Sequence, residues 1–366
     1  IYTTTDIYKV GNDPEPPRVS GWTELDNTYG VTQFYSGAGN VQTGVIIGGA
    51  QDNGTIRYTP NGGTEKWSEM FGGDGGWCAS DPGDASYFYG EYVYLNINRS
   101  KDGGATADPI CGQYWDGSAG EWKWKPVPYR ISDSYNNKAL FIAPFILDPN
   151  NSNRILGGGM SLWRTNNAKA ENTTNTGPVW TSIKNDIGVP ISAIVVANGA
   201  PDIIWVGHAQ NQGISGAGDV YKTVNGTTNN PVWVKMDDKG AHPLPNRYCT
   251  RIVIDNKDHN IVYVTFGGYN KGNVWMTTNG GSGWSNIGNA LPEAPVRSLA
   301  IHPRKSDYLY IGTEVGVFAS EDQGQSWSAT NEGPTNCSVD ELFWLGEVLI
   351  CATHGRGMFR IDLSGI

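Results

Sequence analysis

Charge is scarce in this chain. Only 17% of its 366 residues are Asp, Glu, Lys or Arg, against 38% hydrophobic. The 26 basic residues are scattered and the net charge is −10. No basic patch exists to hold nucleic acid or anionic lipid. Apolar runs of 18 residues are absent, so no membrane span is expected. No long stretch repeats its apolar residues at a 3.6 period, which argues against a helical fold. The five cysteines, Cys78, Cys111, Cys249, Cys337 and Cys351, include no CxxC and no His–Cys ligand spacing. Cys78 and Cys111 are the nearest pair and could form a bridge; the plainer reading is five small buried hydrophobes. No P-loop, nucleophile elbow, HExxH or dinucleotide fingerprint occurs, and the GxG strings are turn glycines.

What the chain has in excess is glycine, 49 residues, and tryptophan, 14. They belong to a repeated phrase. Residues 320–327 read Ser/Thr-x-Asp-x-Gly-x-x-Trp, and 277–284 repeat this as TTNGGSGW, with Asn279 in place of the Asp. Weaker copies are YKTVNG…VW (221–233), WRTNNA…VW (163–180), RSKDGG (99–104) and RYTPNGGTEKW (57–67). A chain of similar units is an array, and the unit sets the fold. The clearest unit has four short strands at 296–303, 307–313, 317–321 and 327–330. Its inner strand carries small and β-branched residues, and a Trp opens its outermost strand. That taper describes a propeller blade, so the expected fold is an all-β propeller of four-stranded antiparallel blades, one domain over 1–366.

Six complete units are expected at 31–70, 76–127, 140–183, 191–236, 248–287 and 296–330. Residues 338–363 supply three further strands, and 1–25 supply IYTTT, DIYKV and GWTEL. In the preferred closure, GWTEL (21–25) completes the last blade as its outer strand, so 1–25 and 338–366 meet and the ring has seven blades. The alternative is an eight-bladed ring with both ends incomplete. Because the chain opens at Ile1 directly on a strand-like phrase, it is expected to come from a longer precursor. Six Asn-x-Ser/Thr sequons begin at Asn53, Asn98, Asn150, Asn172, Asn225 and Asn336, as expected by chance in a chain rich in Asn and Thr.

The repeat accounts for its own letters. Asp102, Asn279 and Asp322 can accept hydrogen bonds from turn amides, and Trp284 and Trp327 can pack over the turns, so these read as structural. Residues that exceed the frame are the places to seek function. Gln51-Asp52-Asn53-Gly54 occupies the turn between the second and third strands of its unit, at the end facing a central pocket. Gly72-Gly73-Asp74-Gly75-Gly76-Trp77 joins two units; its glycines let backbone approach a channel wall, a cation or a sugar, and Trp77 could stack on a pyranose. Asp52 and Asp74 could act together as acid and base on a glycosidic bond if they stood 5–10 Å apart on one face. A structural calcium at this run is the other chemical reading, since carboxylates and carbonyls are hard ligands. His208, Gln210 and Gln212 in VGHAQNQG, and His354 and Arg356 in ATHGRG, fall on corresponding turns and suit sugar hydroxyls. In the insert 105–125, Trp122 is the expected outer-strand Trp. Trp115 is in excess, and with Tyr114 could line a carbohydrate platform.

The phrases VTQFY (31–35), GGAQDNGTIRY (48–58), GGDGGW (72–77), YVTFGGY (263–269), LPEAPV (291–296), GTEVGVFASEDQGQSW (312–327) and ATHGRGMFRID (352–362) span nearly the whole chain. With them the chain resembles the BNR/Asp-box repeat propellers, which include sialidases, sortilin-type receptors and xyloglucan-hydrolysing tandem propellers. The nearest pattern is that of extracellular bacterial BNR-repeat proteins. The resemblance implies a secreted or surface-attached propeller that binds polysaccharide or a surface protein. It also admits a glycoside hydrolase in which a second, upstream propeller completes a cleft. No FRIP opening and no arginine triad occur, which sets the sialidases aside. The catalytic aspartates of the tandem-propeller xyloglucanases find no matching positions, so none is carried over.

Overall fold

The computed structural model describes residues 2–3, 23–24, 31–64, 66–136, 138–209, 218–238, 240, 243–329 and 334–366. Nearly all regular structure in them is antiparallel β. Seven sheets follow one another along the chain, six with four strands and the last with three among the described residues. Blade 1 comprises Phe34–Asn40, Val45–Ala50, Gly54–Tyr58 and Trp67–Phe71. Blade 6 comprises Val296–Ile301, Leu309–Thr313, Gly316–Ser320 and Ser328–Ala329. Blade 7 comprises Val339–Leu345, Val348–Thr353 and Met358–Asp362. Its first strand packs between those of blades 6 and 1, which closes a seven-bladed ring. Tyr2–Thr3 and Thr23–Glu24 pair with each other in a separate sheet; the rest of 1–30 lies outside the described residues.

The core is distributed. Each of seven hydrophobic clusters fills one space between adjacent blades, as with Trp205 and Trp284 between blades 4 and 5 or Phe34, Ala50 and Ala352 across the closing seam. The second strand of a blade is buried on both faces, as in VYVTF (Val262–Phe266) and LYIGT (Leu309–Thr313). Continuous apolar runs are therefore needed there, where an alternating pattern would leave polar side chains in the core.

The repeated turn has one geometry wherever the motif is full. Ser320 Oγ donates to Asp322 Oδ1 at 2.8 Å and accepts the N–H of Gly324 at 2.8 Å. Asp322 then accepts from Ser326, N–H to Oδ1 at 2.8 Å and Oγ–H to Oδ2 at 2.6 Å. Ser100, Asp102, Gly104 and Thr106 reproduce the same set in blade 2. The following Trp ties its blade to the one before: Trp233, Trp284 and Trp327 each donate Nε1–H, at 2.8 Å, to the carbonyls of Ile183, Met236 and Ile287. The five cysteines are unpaired, so the Cys78–Cys111 bridge does not form; both thiols are raised by burial, Cys111 to about 12.

Candidate functional site

In a four-stranded meander the turns alternate between the two ends of the blade. The turn between the second and third strands therefore shares an end with the connection between blades. QDNG, GGDGGW, His208 and THGRG all fall at this end, which carries two distinct places, one at the axis and one at the rim.

The axial place is built on a repeated irregularity. The first strands of blades 1, 4, 5, 6 and 7 each carry a bulge near their start, at Tyr35, Ser192, Thr250, Arg297 and Asp340. A bulge re-aims a side chain out of the pleat. In blades 4 and 5 the hydroxyls bridge to the next blade: Ser192 donates to Cys249 O at 2.6 Å and Thr250 to Val296 O at 2.5 Å. In blades 6, 7 and 1 the bulge residues form a polar network instead. Arg297 pairs with Glu314 and, at 3.4 Å, with Asp340. Asp340 also accepts from Ser338 at 2.6 Å and pairs with His354 Nδ1 at 3.2 Å. His354 stands edge-on to Tyr35, whose hydroxyl donates to Gln51, itself bonded to Gln33 at 3.0 Å. Tyr35 is raised by burial, opposed by its bond to Gln33, with the carboxylates of Asp74, Asp340 and Asp52 adding to the rise. These carboxylates thus act on one phenol.

Asp52 and Asp74 are neighbours. Asp52 sits at φ 58° and donates its backbone N–H to Asp74 Oδ1 at 2.8 Å. Residues 72–77 lie against blade 1: Gly54 donates to Gly73 O at 2.6 Å, and Gly75 to Ala50 O at 3.0 Å. A Cβ on Gly75 would stand 2.7 Å from Gly49 Cα. What the glycines approach is the blade's own backbone. Trp77 carries the Arg251 guanidinium 4.7 Å from its ring centroid, and Arg251 pairs with the buried Glu341, so that face is covered from within. No group of three or more His, Cys, Asp or Glu among the described residues is placed to hold a metal ion.

Two expectations are corrected. His208 is not a surface group. It is fully buried, its Nδ1 2.9 Å from Val189 O and its ring edge-on to Tyr221. Burial first, and then the Lys184 charge, lower it to about 3. Gln210 and Gln212 lie outside the described residues. Arg356 donates to Thr335 O at 3.1 Å. The second correction concerns Trp122. The outer strand of blade 2 is Asp108–Pro109, and Ile110 fills the core beside it. Trp122 belongs to a separate hairpin, Gln113–Asp116 with Glu121–Trp124, where it faces Trp115 across the ladder. Their rings meet edge-on at 5.6 Å and are 63% and 55% exposed, so neither serves the core.

That hairpin makes the rim place. It walls a cavity of about 740 Å³, with Phe71, Gly72, Gly73 and Tyr92 opposite and Tyr114, Trp115 and Trp122 on the near side. Asn98, Asp108, Lys125 and Asn172 supply its polar lining. Residues 72–77 thus run from the rim cavity, past the Asp52 turn, to Trp77 beside Arg251. Sequence reasoning found Tyr114 and Trp115 but missed Tyr92, Asn98 and Asn172. Tyr92 carries a usable signal, because EYVY at that turn exceeds the repeat.

No family model matches the chain, and no curated protein matches it. Solved structures do. The GH74 enzyme of Niastella koreensis is 18% identical over 91% of this chain and 53% of its own, with a TM-score of 0.61. The GH74 xyloglucanase of Xanthomonas campestris is 14% identical over 91% and 52%, with a TM-score of 0.64. YCF48 from Cyanidioschyzon merolae is 9% identical over 91% and 96%, with a TM-score of 0.60. The chain spans about half the length of the two GH74 structures. At these identities the likeness establishes the fold, a seven-bladed β-propeller of a kind that serves both glycoside hydrolases and other proteins.

Proposed function

We propose that this chain is an extracellular, non-catalytic propeller of the BNR/Asp-box kind that binds a glycan at its loop end. The rim cavity carries the reading. Exposed indoles and phenols offer flat apolar faces to sugar rings, while amides beside them offer donors and acceptors for hydroxyls. Two GH74 enzymes among the structural neighbours are consistent with a fold suited to carbohydrate. The repeated Ser–Asp–Gly turn and its Trp support kinship with the Asp-box propellers. The chain is read as a single propeller domain.

Binding is favoured over hydrolysis because Asp74 is engaged as the cap of the Asp52 turn and Asp340 is tied by three partners. The test is affinity electrophoresis and calorimetry against a panel of plant and bacterial polysaccharides. Trp115→Ala with Trp122→Ala should abolish binding, at about 1–3 kcal/mol per ring lost, with an unchanged thermal midpoint. Asp74→Asn, which keeps the acceptor, should leave binding intact. Turnover of any panel member that disappears in Asp74→Asn would sink the non-catalytic reading and favour the Asp52–Asp74 hydrolase.

A further inference from the structure

We infer that the rim groove selects neutral polysaccharide and rejects carboxylate-bearing counterparts of the same backbone. This rests on the glycan reading above and concerns the same cavity.

Asn98 is only 9% exposed and lines the cavity, and its side-chain amide makes no hydrogen bond among the described residues. It offers one acceptor and two donors to whatever enters. Asn172 donates Nδ2–H to Pro109 O at 3.1 Å, which fixes the amide and leaves its Oδ1 buried without a partner. An orphan acceptor is satisfied only by a donor. Asp108, a third group on the lining, is likewise an acceptor, with the Lys125 and Arg99 charges in its surroundings. The one cation on the lining is Lys125, which is 1% exposed and donates to the carbonyls of Thr173 and, at 3.2 Å, Thr176.

A sugar hydroxyl both donates and accepts, so it can serve Asp108 and Asn98 in turn. A carboxylate only accepts. In this groove it would stand beside the Asp108 charge and compete with two carbonyls for Lys125. The chain's net charge of −10 opposes a polyanion at longer range as well.

The probes are matched pairs: hydroxyethylcellulose with carboxymethylcellulose, and galactan with polygalacturonate. Calorimetry on the intact chain should give at least about tenfold tighter binding to the neutral member of the responding pair. Asn98→Ala should weaken that binding about tenfold. Asp108→Asn, which removes the charge, should raise affinity for the acidic member relative to the neutral one. Equal or tighter binding of the acidic member, still dependent on Trp115 and Trp122, overturns the selectivity and spares the glycan reading. Failure of both pairs and of the wider polysaccharide panel overturns both.

Discussion

A histidine inside a propeller behaves as a small polar packing piece with a pH penalty. His208 fits between Val189 O and the Tyr221 ring, and at pH 7 it is neutral in the native state. Its folded pKa of about 3 lies below the ordinary value near 6.5. The stability it permits is therefore complete above pH 6.5 and is lost as pH falls toward 3, because only the unfolded chain takes up the proton. The slope is about 1.4 kcal/mol per pH unit for one proton. In His208→Gln, stability from denaturant unfolding should be lower at pH 7 yet fall less steeply between pH 6.5 and 4. A variant profile parallel to wild type would show that His208 titrates normally. VGHAQNQG displayed this residue as an excess polar group but held nothing about burial. What decides is that His208 closes a strand buried along its inner length. Tyr35, Arg297 and Asp340 were hidden for a related reason: their meaning lies in a bulge, a property of register that no single unit's letters reveal.

At the scale of the element, the repeated turn can be tested as a unit. Ser320 is buried, and its hydroxyl accepts the N–H of the equally buried Gly324. Ser320→Ala leaves that amide without a partner and should cost about 1–3 kcal/mol. The equivalent changes Ser100→Ala and Thr277→Ala lie in other blades, where Gly104 and Gly281 amides depend on them in the same way. Distant sites without shared partners add, so the triple variant should lose the sum of the single losses in guanidinium unfolding, and a sub-additive result would mean the turns are not independent devices. Asp322, held down to about 2 by Ser326, makes the turn acid-sensitive. Its contribution is present above pH 4 and is lost as pH falls toward 2. Element boundaries were legible because this turn recurs with its Gly and Trp in place. The insert was the exception. EWKWKP alternates like an outer strand, so Trp122 was read as the inter-blade Trp, whereas the two-residue strand Asp108–Pro109 has no hydrophobic pattern to announce it. Its neighbour Ile110 supplies the core side chain that the outer-strand Trp supplies in other blades.

For the molecule as a whole, closure changes how stability is shared. In an open repeat array each unit leans on its neighbours and the ends fray first. Here blade 7 is fixed to blade 1 by a Gln33–His354 bridge, by the Gly357 N–H on Thr32 O at 3.1 Å, and by packing of Phe343 and Met358 over Gly37. A Cβ on Gly37 would stand 2.7 Å from Phe343 Cε1 and 2.9 Å from Met358 Cε. Gly37→Ala is therefore a wedge driven into the seam, at an expected cost of about 1–3 kcal/mol. Phe343→Leu gives the new methyl room, so the double variant should recover part of that loss; strict additivity would show that the ring does not close on these residues. The second reading is cooperativity. With every blade held on two sides, the wedge should lower the midpoint of one transition, followed identically by tryptophan fluorescence and far-ultraviolet dichroism. A split in which blades 7 and 1 unfold ahead of the rest would mean that the seam only rests shut, and that stability is summed unit by unit along the chain.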